Sequence, residues 1–430
     1  MPGLESTLAA AEVGMLGSLD YRLPQVSNFV TDRKEVTYYP LGGDQYRPVG
    51  VRVLTFQCSG LGFLDASSLC LSVQCNNPDG AKTLKPLTPE LACMIQEIRI
   101  LAGGTEIERI SGYNRLYHLL SQGLSVDKKR NNADICFGIQ TVDSVGGDDH
   151  GISGQNWTPV TIPAASGVQV MHKIMCELSQ HRLFIPLWAL QAGGLTIEVM
   201  LTGTYGEALD SDAGVHSQEW SWSNCQLKAD VLRVDDEMMQ SYSKFILSGK
   251  KLLIPLKTYS TVQMAVSGSD YELAVPRQFA RLNQVFVTFN RSGSWTATLK
   301  DGNYFYFPST SQNTATATIQ VGDKKFPEHE YKSLSEFIYR YQKGTGLDKS
   351  SSHTATVSRQ SFASTNWVCL FDLETVPQAN HSGLNTSAGS IVISFKNVGT
   401  GAGEYPTQAV ITLVYDEIVE IGDAGVTTAY

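Results

Sequence analysis

Two short stretches of the sequence place acidic residues close enough together for acid–base catalysis. The first, "VDDEMM", begins at Val234, and the second, "YDEIVE", begins at Tyr415. Glycosidases use a pair of carboxyl groups in this way, one as the acid and the other as the base or nucleophile. Because the two stretches occupy corresponding places in two halves of the chain, we predict that both mark the structural ends of strands rather than a catalytic pair.

Two other stretches contain oxygen ligands that cations prefer. Asp148, Asp149 and His150 lie in "GGDDHG", where Asp and Gly are turn residues in their own right, so a solvated loop tip is predicted and a cation site is the alternative. "DSDAG" at Asp210 resembles the start of a calcium loop. The twelfth position, however, is Ser221 rather than the bidentate Glu that such a loop needs, which excludes an EF-hand.

Histidine and cysteine spacing gives no metal motif. None of the eight histidines has the His-x-x-x-His spacing of a zinc hydrolase, and His118 is predicted to be a packed or hydrogen-bonded structural residue on a helix. No Cys-x-x-Cys pair occurs among the eight cysteines, so free, buried thiols in a reducing compartment are predicted, with disulfides or a zinc site as the alternative. These cysteines are Cys58, Cys70, Cys75, Cys93, Cys136, Cys176, Cys225 and Cys369.

Motifs of two large enzyme classes are also missing from the sequence. There is no Gly-x-Ser-x-Gly nucleophile elbow, and "SGKK" at Ser248 lacks the upstream Gly of a phosphate-binding loop. The sequence therefore predicts no catalytic residue, no cofactor-binding residue, no cofactor and no metal ligand. The protein is predicted not to be an enzyme.

Length and composition favour a two-domain globular protein with a lightly charged surface. The chain has 430 residues, of which 42% are apolar and 17% charged, and its formal net charge is -9. Sequence-specific binding to nucleic acid is not expected, because neutralising phosphates needs clustered Lys and Arg. The apolar runs are too short to span a membrane, and the first 24 residues lack the pattern of a secretory signal.

Short strand-like runs, separated by turn signals, recur along the whole sequence. Examples are "VRVLTFQC" from Val51, "LTIEVML" from Leu195 and "SIVISFK" from Ser390. Strands at this spacing, with only isolated helices between them, are typical of antiparallel sheets packed as sandwiches. The predicted fold class is therefore all-β.

The stretch "IQEIRILAGGTEIERISGYNRLYHLL", from Ile95 to Leu120, contains a Gly pair that could belong to a phosphate-binding loop or to a tight hairpin. It lacks a Gly-x-Gly-x-x-Gly fingerprint. Ile98 and Ile100 alternate with polar residues before Gly103 and Gly104, and the residues after the pair alternate as well. Two glycines suit the positive φ angles of a two-residue connection, so a hairpin is predicted.

A helix is predicted directly after this hairpin. Tyr113, Leu116, Tyr117 and Leu120 fall at i, i+3, i+4 and i+7 and form one apolar stripe. Ser111 is the predicted N-cap, since a Ser side chain accepts hydrogen bonds from the first free N–H groups of a helix.

The same unit returns in the second half of the chain. "ATIQVGDKKFPEHEYKSLSEFIYRY" begins at Ala317, and its turn is Gly322 and Asp323. The predicted strand, turn and strand again lead into an amphipathic helix. The apolar stripe of that helix is Tyr331, Leu334, Ile338 and Tyr341.

Two further pairs of segments keep the same order. The segment Phe184–Gly203 corresponds to Leu370–Asn397, and Ala229–Met239 corresponds to Ile411–Ile421. Three matched units in matched order predict a tandem duplication of one domain. The boundary is predicted near Met239–Lys250, between the strand that ends in "DDEMM" and "KKLLIPL".

Taken in order, these motifs resemble the double jelly-roll major capsid proteins of large eukaryotic DNA viruses, virophages and polinton-like viruses. The Gly-Gly hairpin and its helix are similar to the family's first-domain unit, and "IQVGDKKF" is similar to the second-domain hairpin. "FIPLWALQAGGLTIEVML" and the terminal "AVITLVYDEIVEIGDAGVTTAY" also resemble family segments. The family's aromatic and basic run near the N-terminus is only faintly matched by "NFVTDRKEVTYYP" from Asn28.

The resemblance implies two tandem eight-stranded jelly-roll sandwiches with short helices in the loops. The expected organisation is an N-terminal arm over residues 1–30, a first jelly roll over 31–240 and a second over 241–430. The implied function is that of a structural major capsid protein, whose homotrimers form pseudo-hexameric capsomers of an icosahedral virion. A carbohydrate-binding or carbohydrate-active β-sandwich protein is the alternative, since jelly rolls also carry those functions.

The same resemblance implies particular partners. They are further copies of the chain, neighbouring capsomers, minor capsid and penton proteins, and an internal membrane reached through the N-terminal arm. Assembly would take place inside the host cell. The long loops Leu124–Trp157 and Thr202–Asn224 would form outer towers. Four tryptophans are predicted to be anchors of the sandwich core or of subunit interfaces: Trp188, Trp220, Trp222 and Trp367.

Overall fold

The fold is known from a computed structural model, which describes residues 30–139, 159–180, 183–190, 193–209, 215–291, 305–347, 359–363, 366–375, 382–387, 389–401 and 403–429. Antiparallel strands dominate it, as the alternating sequence patterns predict. They pair into four sheets, two from the first half of the chain and two from the second.

The described residues of the first half supply ten strands. They are β1 (Val30–Tyr38), β2 (Gln45–Tyr46), β3 (Val53–Cys58), β4 (Phe63–Asn76), β5 (Ile95–Ala102), β6 (Thr105–Ser111), β7 (Gly167–Lys173), β8 (Ile185–Pro186), β9 (Leu195–Leu201) and β10 (Ser221–Val234). One sheet has the order β1-β10-β4-β7, with β2 beside β10 and β8 beside β4. The other has the order β3-β9-β5-β6.

Within the ranges given above, the second half supplies nine strands. They are β11 (Leu252–Ala265), β12 (Tyr271–Val275), β13 (Leu282–Asn290), β14 (Thr316–Val321), β15 (Lys324–Lys332), β16 (Cys369–Asp372), β17 (Ile391–Lys396), β18 (Gln408–Gly422) and β19 (Gly425–Ala429). One sheet has the order β11-β18-β13-β16, with β19 beside β18. The other has the order β12-β17-β14-β15.

The two halves have the same topology. When the eight principal strands of each half are taken in chain order, β1-β10-β4-β7 corresponds to β11-β18-β13-β16, and β3-β9-β5-β6 corresponds to β12-β17-β14-β15. Each half is therefore one eight-stranded sandwich of two four-stranded sheets, apart from the short additional strands. The long-range pairing repeats together with the local motifs, as expected for a duplicated domain.

In the part of the chain that the structure describes, six helices lie between or after strands. They are α1 (Tyr113–Ser121), α2 (Val126–Asp134), α3 (Glu177–Gln180), α4 (Asp236–Leu247), α5 (Leu334–Thr345) and α6 (Arg359–Phe362). Short 3-10 turns occur at Leu91–Met94, Leu187–Ala189, Tyr205–Glu207 and Ser309–Ser311. Helices α1 and α5 follow the two corresponding hairpins, β5–β6 and β14–β15, as predicted.

Both predicted helix starts need correction. The N-cap of α1 is Gly112, in the left-handed conformation with φ 69°, and the Ser111 hydroxyl instead donates to the Glu97 carboxylate at 3.1 Å. Helix α5 begins at Leu334, so Tyr331 belongs to β15, where its ring stacks on Phe371. In both cases the side chain contacts another strand, β5 for Ser111 and β16 of the facing sheet for Tyr331.

The sandwich interiors are filled by the inward-facing side of each strand. Buried side chains alternate with more exposed ones along β9 and β14, which gives each of these strands one core face. The second sandwich has an aromatic centre, in which Trp367 stacks between Phe289 and Phe307 at centroid distances of 4.9 and 4.6 Å. The buried residues of the two halves form one continuous cluster.

Candidate functional site

The two acidic stretches lie in different structural settings. Strand β10 ends at Val234, and the Asp235 carboxylate caps helix α4 by accepting a hydrogen bond from the Asp236 N–H at 2.7 Å. Asp416 and Glu417 instead lie within β18 and are buried. The prediction of a strand end is thus correct for the first stretch and wrong for the second. The prediction that "DDEMM" is itself strand is also wrong, since these residues begin a helix.

The candidate cation ligands from the sequence lie outside the described residues. They are Asp148, Asp149, His150 and Asp210. Within the described ranges, no group of three or more His, Cys, Asp and Glu side chains could hold a metal ion. Among the helices described, none is both long and apolar enough to cross a membrane.

The cysteines are free, and seven of the eight are buried, whereas Cys70 is half-buried. Burial raises the pKa of the Cys93 thiol to about 11 and that of Cys58 to about 12. Reactive cysteines need the opposite shift, because the thiolate is the nucleophile and the metal ligand. The prediction of free, buried thiols is confirmed for these seven residues.

His118 is a packing residue at the contact between the two halves. Its ring stacks on Phe305 of the second sandwich with 5.1 Å between centroids, and its side chain hydrogen-bonds Asn366. Burial, together with the nearby charge of Lys129, lowers its pKa to about 3, so the ring is neutral at physiological pH. The predicted structural role of His118 is confirmed.

Three of the four predicted tryptophan anchors belong to the cores. Trp220, Trp222 and Trp367 are at most 1% exposed. Trp188 is half-buried and meets Phe63 edge-on, at 6.3 Å between ring centroids. The first three side chains therefore stabilise the folded chain and have no surface with which to contact another subunit.

The predicted loops are shorter than the sequence indicated. Helix α2 (Val126–Asp134) occupies part of the segment Leu124–Trp157, and residues 140–158 lie outside the described ranges. Thr202–Asn224 contains a 3-10 turn, and β10 already begins at Ser221. The second predicted loop therefore ends before Ser221, and Trp222 belongs to β10.

A polar cavity lies on the seam, which we define as the contact between β6, α1 and α3 of the first half and β11, β18 and β19 of the second. Strands β6 and β11 are edge strands of their sheets, and a cavity of about 410 Å³ lies between them. Its walls include Glu106, Glu108, Arg109, Arg277 and Glu417. Direct bonds also cross the seam: the Thr105 hydroxyl donates to the Val426 carbonyl at 3.2 Å.

Three carboxyl groups of the seam have raised pKa values. Burial raises the pKa of Glu108 to about 8, and the neighbouring Glu177 and Glu417 add to the effect. Burial also raises the pKa of Glu177 and of Glu417 to about 7, with contributions from Asp416 and Glu106 respectively. This cluster has no signature in the sequence, because only the fold brings the three residues together.

Solved structures share the whole architecture of the chain. A quasi-atomic model of the PBCV-1 virus capsid matches with a TM-score of 0.64 and 12% identity, over 95% of this chain and 99% of that chain. The Faustovirus major capsid protein matches with a TM-score of 0.60 and 9% identity, over 94% and 93%. The chain has the double jelly-roll fold. The 3.5 Å structure of the Sputnik virophage matches this double jelly roll with a TM-score of 0.59 and 10% identity, over 95% and 90%.

These likenesses concern the fold alone, since the identities lie between 9% and 12%. No protein-family model matches the chain, and no curated protein sequence does either. The predicted fold class, two tandem antiparallel jelly rolls with short helices between strands, is confirmed.

One surface segment of the first jelly roll is unusually apolar. Tyr39, Leu41, Val49, Val51 and Val53 are between 41% and 68% exposed, and they lie within 15 consecutive residues. The segment folds against the free edge of β3, where the Leu41 N–H donates to the Thr55 carbonyl at 2.7 Å. Exposed apolar side chains concentrated in this way mark surfaces for protein contact.

Proposed function

We propose that this chain is a structural major capsid protein and that three copies associate into one capsomer of an icosahedral viral shell. The observation that carries the proposal is the repeated topology: two complete sandwiches with the same strand order in one chain. The similar solved structures include a virus capsid and a major capsid protein. No enzymatic activity is part of the proposal.

The geometry of a duplicated domain supports a threefold assembly. Three chains related by closed threefold symmetry bring together six sandwiches of one topology. Six similar bodies around an axis make a nearly hexagonal block, and hexagonal blocks tile a surface. The chain thus needs only one closed interface to build a pseudo-hexameric unit.

We propose residues 31–240 and 241–430 as the two domains, with residues 1–30 as an N-terminal arm. Helix α4 (Asp236–Leu247) spans the limit between the domains, so the covalent link between them is helical. Further proposed partners are neighbouring capsomers, minor capsid and penton proteins and, through the arm, an internal membrane. The proposed location is the virion, after assembly inside the host cell.

Light scattering coupled to size exclusion tests the assembly. The purified chain should elute as one species of three times 47.0 kDa, because obligate interfaces of this kind bury more than about 2,000 Å² and do not open on dilution. A folded species of 47.0 kDa at micromolar concentration would contradict the proposal.

The apolar segment Tyr39–Val53 is the proposed contact with a second copy of the chain. A double variant, Leu41→Asp with Val51→Asp, should give a folded monomer, since both side chains are at least 60% exposed and do not contribute to the core. Leu247→Asp, at an exposed apolar position on α4, is the matched control and should remain trimeric. A double variant that remains trimeric would remove this segment from the interface.

A further inference from the structure

The seam has a buried carboxyl group at its centre. The Glu108 side chain on β6 is 2% exposed, and its two oxygens accept hydrogen bonds from the backbone N–H groups of Glu177 at 2.9 Å and Leu178 at 3.4 Å. These bonds fix the carboxyl group in place, within reach of the second jelly roll. When its charge changes, Glu108 therefore cannot turn towards solvent without breaking both bonds.

Two more carboxyl groups approach the same place from other elements. The Glu177 carboxyl group on α3 accepts a hydrogen bond from the backbone N–H of Lys257 on β11. Glu417 on β18 is 3% exposed and hydrogen-bonds Thr428 of β19. Carboxyl groups from both jelly rolls thus converge on one contact, where fully ionised groups would repel one another.

The cations near the seam are bound to other side chains. Lys257 on β11 donates to the Glu374 carboxylate at 3.0 Å, and its charge also lowers the pKa of Glu177 against the larger effect of burial. Arg99 binds Glu106 and Glu198, each at 2.8 Å.

The remaining arginines of the cavity are also engaged. Arg109 on β6 donates to Glu97 at 3.0 and 3.2 Å, and Arg277 donates to the Ser260 hydroxyl at 2.6 Å. Asp416 and Tyr259 face the same region without adding positive charge, and Asp416 accepts a hydrogen bond from the Asn283 amide at 2.7 Å.

We propose that the seam between the jelly rolls is a proton-dependent contact, in which Glu108, Glu177 and Glu417 take up protons when the two halves pack together. Mildly acidic solution then holds the seam closed, and alkaline solution weakens it. The proposal concerns the chain itself and does not depend on whether the chain forms a capsid.

The direction of the pH dependence follows from proton linkage. The three groups hold protons in the folded chain up to pH values of about 7 to 8, whereas a glutamate of the unfolded chain loses its proton near pH 4.5. Between these limits the folded state binds more protons. For each extra proton that the folded state binds, the equilibrium constant for opening rises about tenfold per unit of increasing pH. The stabilisation is complete below about pH 4.5 and is lost as the pH rises through 7 to 8.

Hydrogen exchange read by mass spectrometry on the full chain tests the proposal at pH 5.5, 7.0 and 8.5, after correction for the intrinsic exchange rates. Protection of β6 and β11 should fall at least tenfold more between pH 5.5 and 8.5 than protection of β12, which pairs with β17 in the sheet that contains neither β11 nor β18. In Glu108→Gln, which keeps the size of the side chain but cannot ionise, this additional loss should be smaller, by up to about tenfold for each pH unit below about pH 8, the range in which wild-type Glu108 keeps its proton.

Controls separate the proposal from a purely structural effect. Glu272→Gln, an exposed glutamate on β12, should leave the pH profile of β6 and β11 unchanged. If Glu108→Gln does not fold, Glu417→Gln serves as the second variant, with the same expected flattening. Equal pH profiles in the wild type for β6, β11 and β12 would overturn the proposal, as would a profile that neither glutamine variant changes.

Discussion

Trp367→Ala is expected to lower the free energy of unfolding by about 3–5 kcal/mol, the range for removing a large aromatic side chain from a rigid core. The indole ring is 0% exposed and lies nearly parallel to Phe289 and Phe307, with interplanar angles of 10° and 12°. Phe337 meets it edge-on at 5.4 Å. Because stacked rings on both sides cannot collapse into the space, a cavity should remain. Urea denaturation followed by circular dichroism measures the loss.

Two further substitutions make this result specific. Trp367→Phe keeps an aromatic ring in the stack and removes an indole N–H that has no hydrogen-bond partner among the described residues, so it should cost clearly less. Tyr339→Ala removes a ring that is 52% exposed and should change stability by no more than about 0.5 kcal/mol. A loss below about 1 kcal/mol for Trp367→Ala would mean that the second core is loosely packed.

Gly103→Val is expected to destabilise the chain by about 2 kcal/mol or more. Gly103 has φ +57°, which costs a residue with a side chain about 1–3 kcal/mol and is worst for a β-branched one. A Cβ at this position would also lie 2.8 Å from the Leu190 carbonyl oxygen, closer than such atoms approach. Because the backbone has to move, both the β5–β6 hairpin and the adjoining seam should be destabilised. Thermal and urea denaturation report the change.

Gly80→Val is the matched control for this substitution. A Cβ at Gly80 meets no atom within 4 Å, and its backbone is not left-handed. Its stability should therefore stay within about 0.5 kcal/mol of the wild type. A loss for Gly103→Val as small as that expected for Gly80→Val would show that the hairpin tolerates a side chain, and that the Gly pair is not needed for the turn.

The elements that sequence analysis predicts correctly depend on local patterns. The alternation of Ile98 and Ile100 with polar residues and the glycines at 103 and 104 are enough to define the first hairpin, since strand faces and positive φ angles are properties of a few adjacent residues. The matched order of hairpin, helix and later strands likewise indicated the duplication. These signals need no knowledge of distant contacts.

What the sequence could not provide depends on partners far along the chain. Glu108 and Glu177 are 69 residues apart, and Glu417 lies in the other jelly roll, so no spacing rule joins them. Ser111 looks like a helix cap until Glu97, on the neighbouring strand, engages its hydroxyl. Trp220 and Trp222 could be core or interface residues by type, and only the packing of their sheets decides between the two.

Helix α4 has a consequence for how strong the seam must be. By holding the two jelly rolls on one chain, this 12-residue connection makes their meeting intramolecular, with an effective concentration far above that of separate proteins. A polar interface that two free molecules would rarely populate can then stay closed. The tether thereby lets this junction carry titratable groups at its centre.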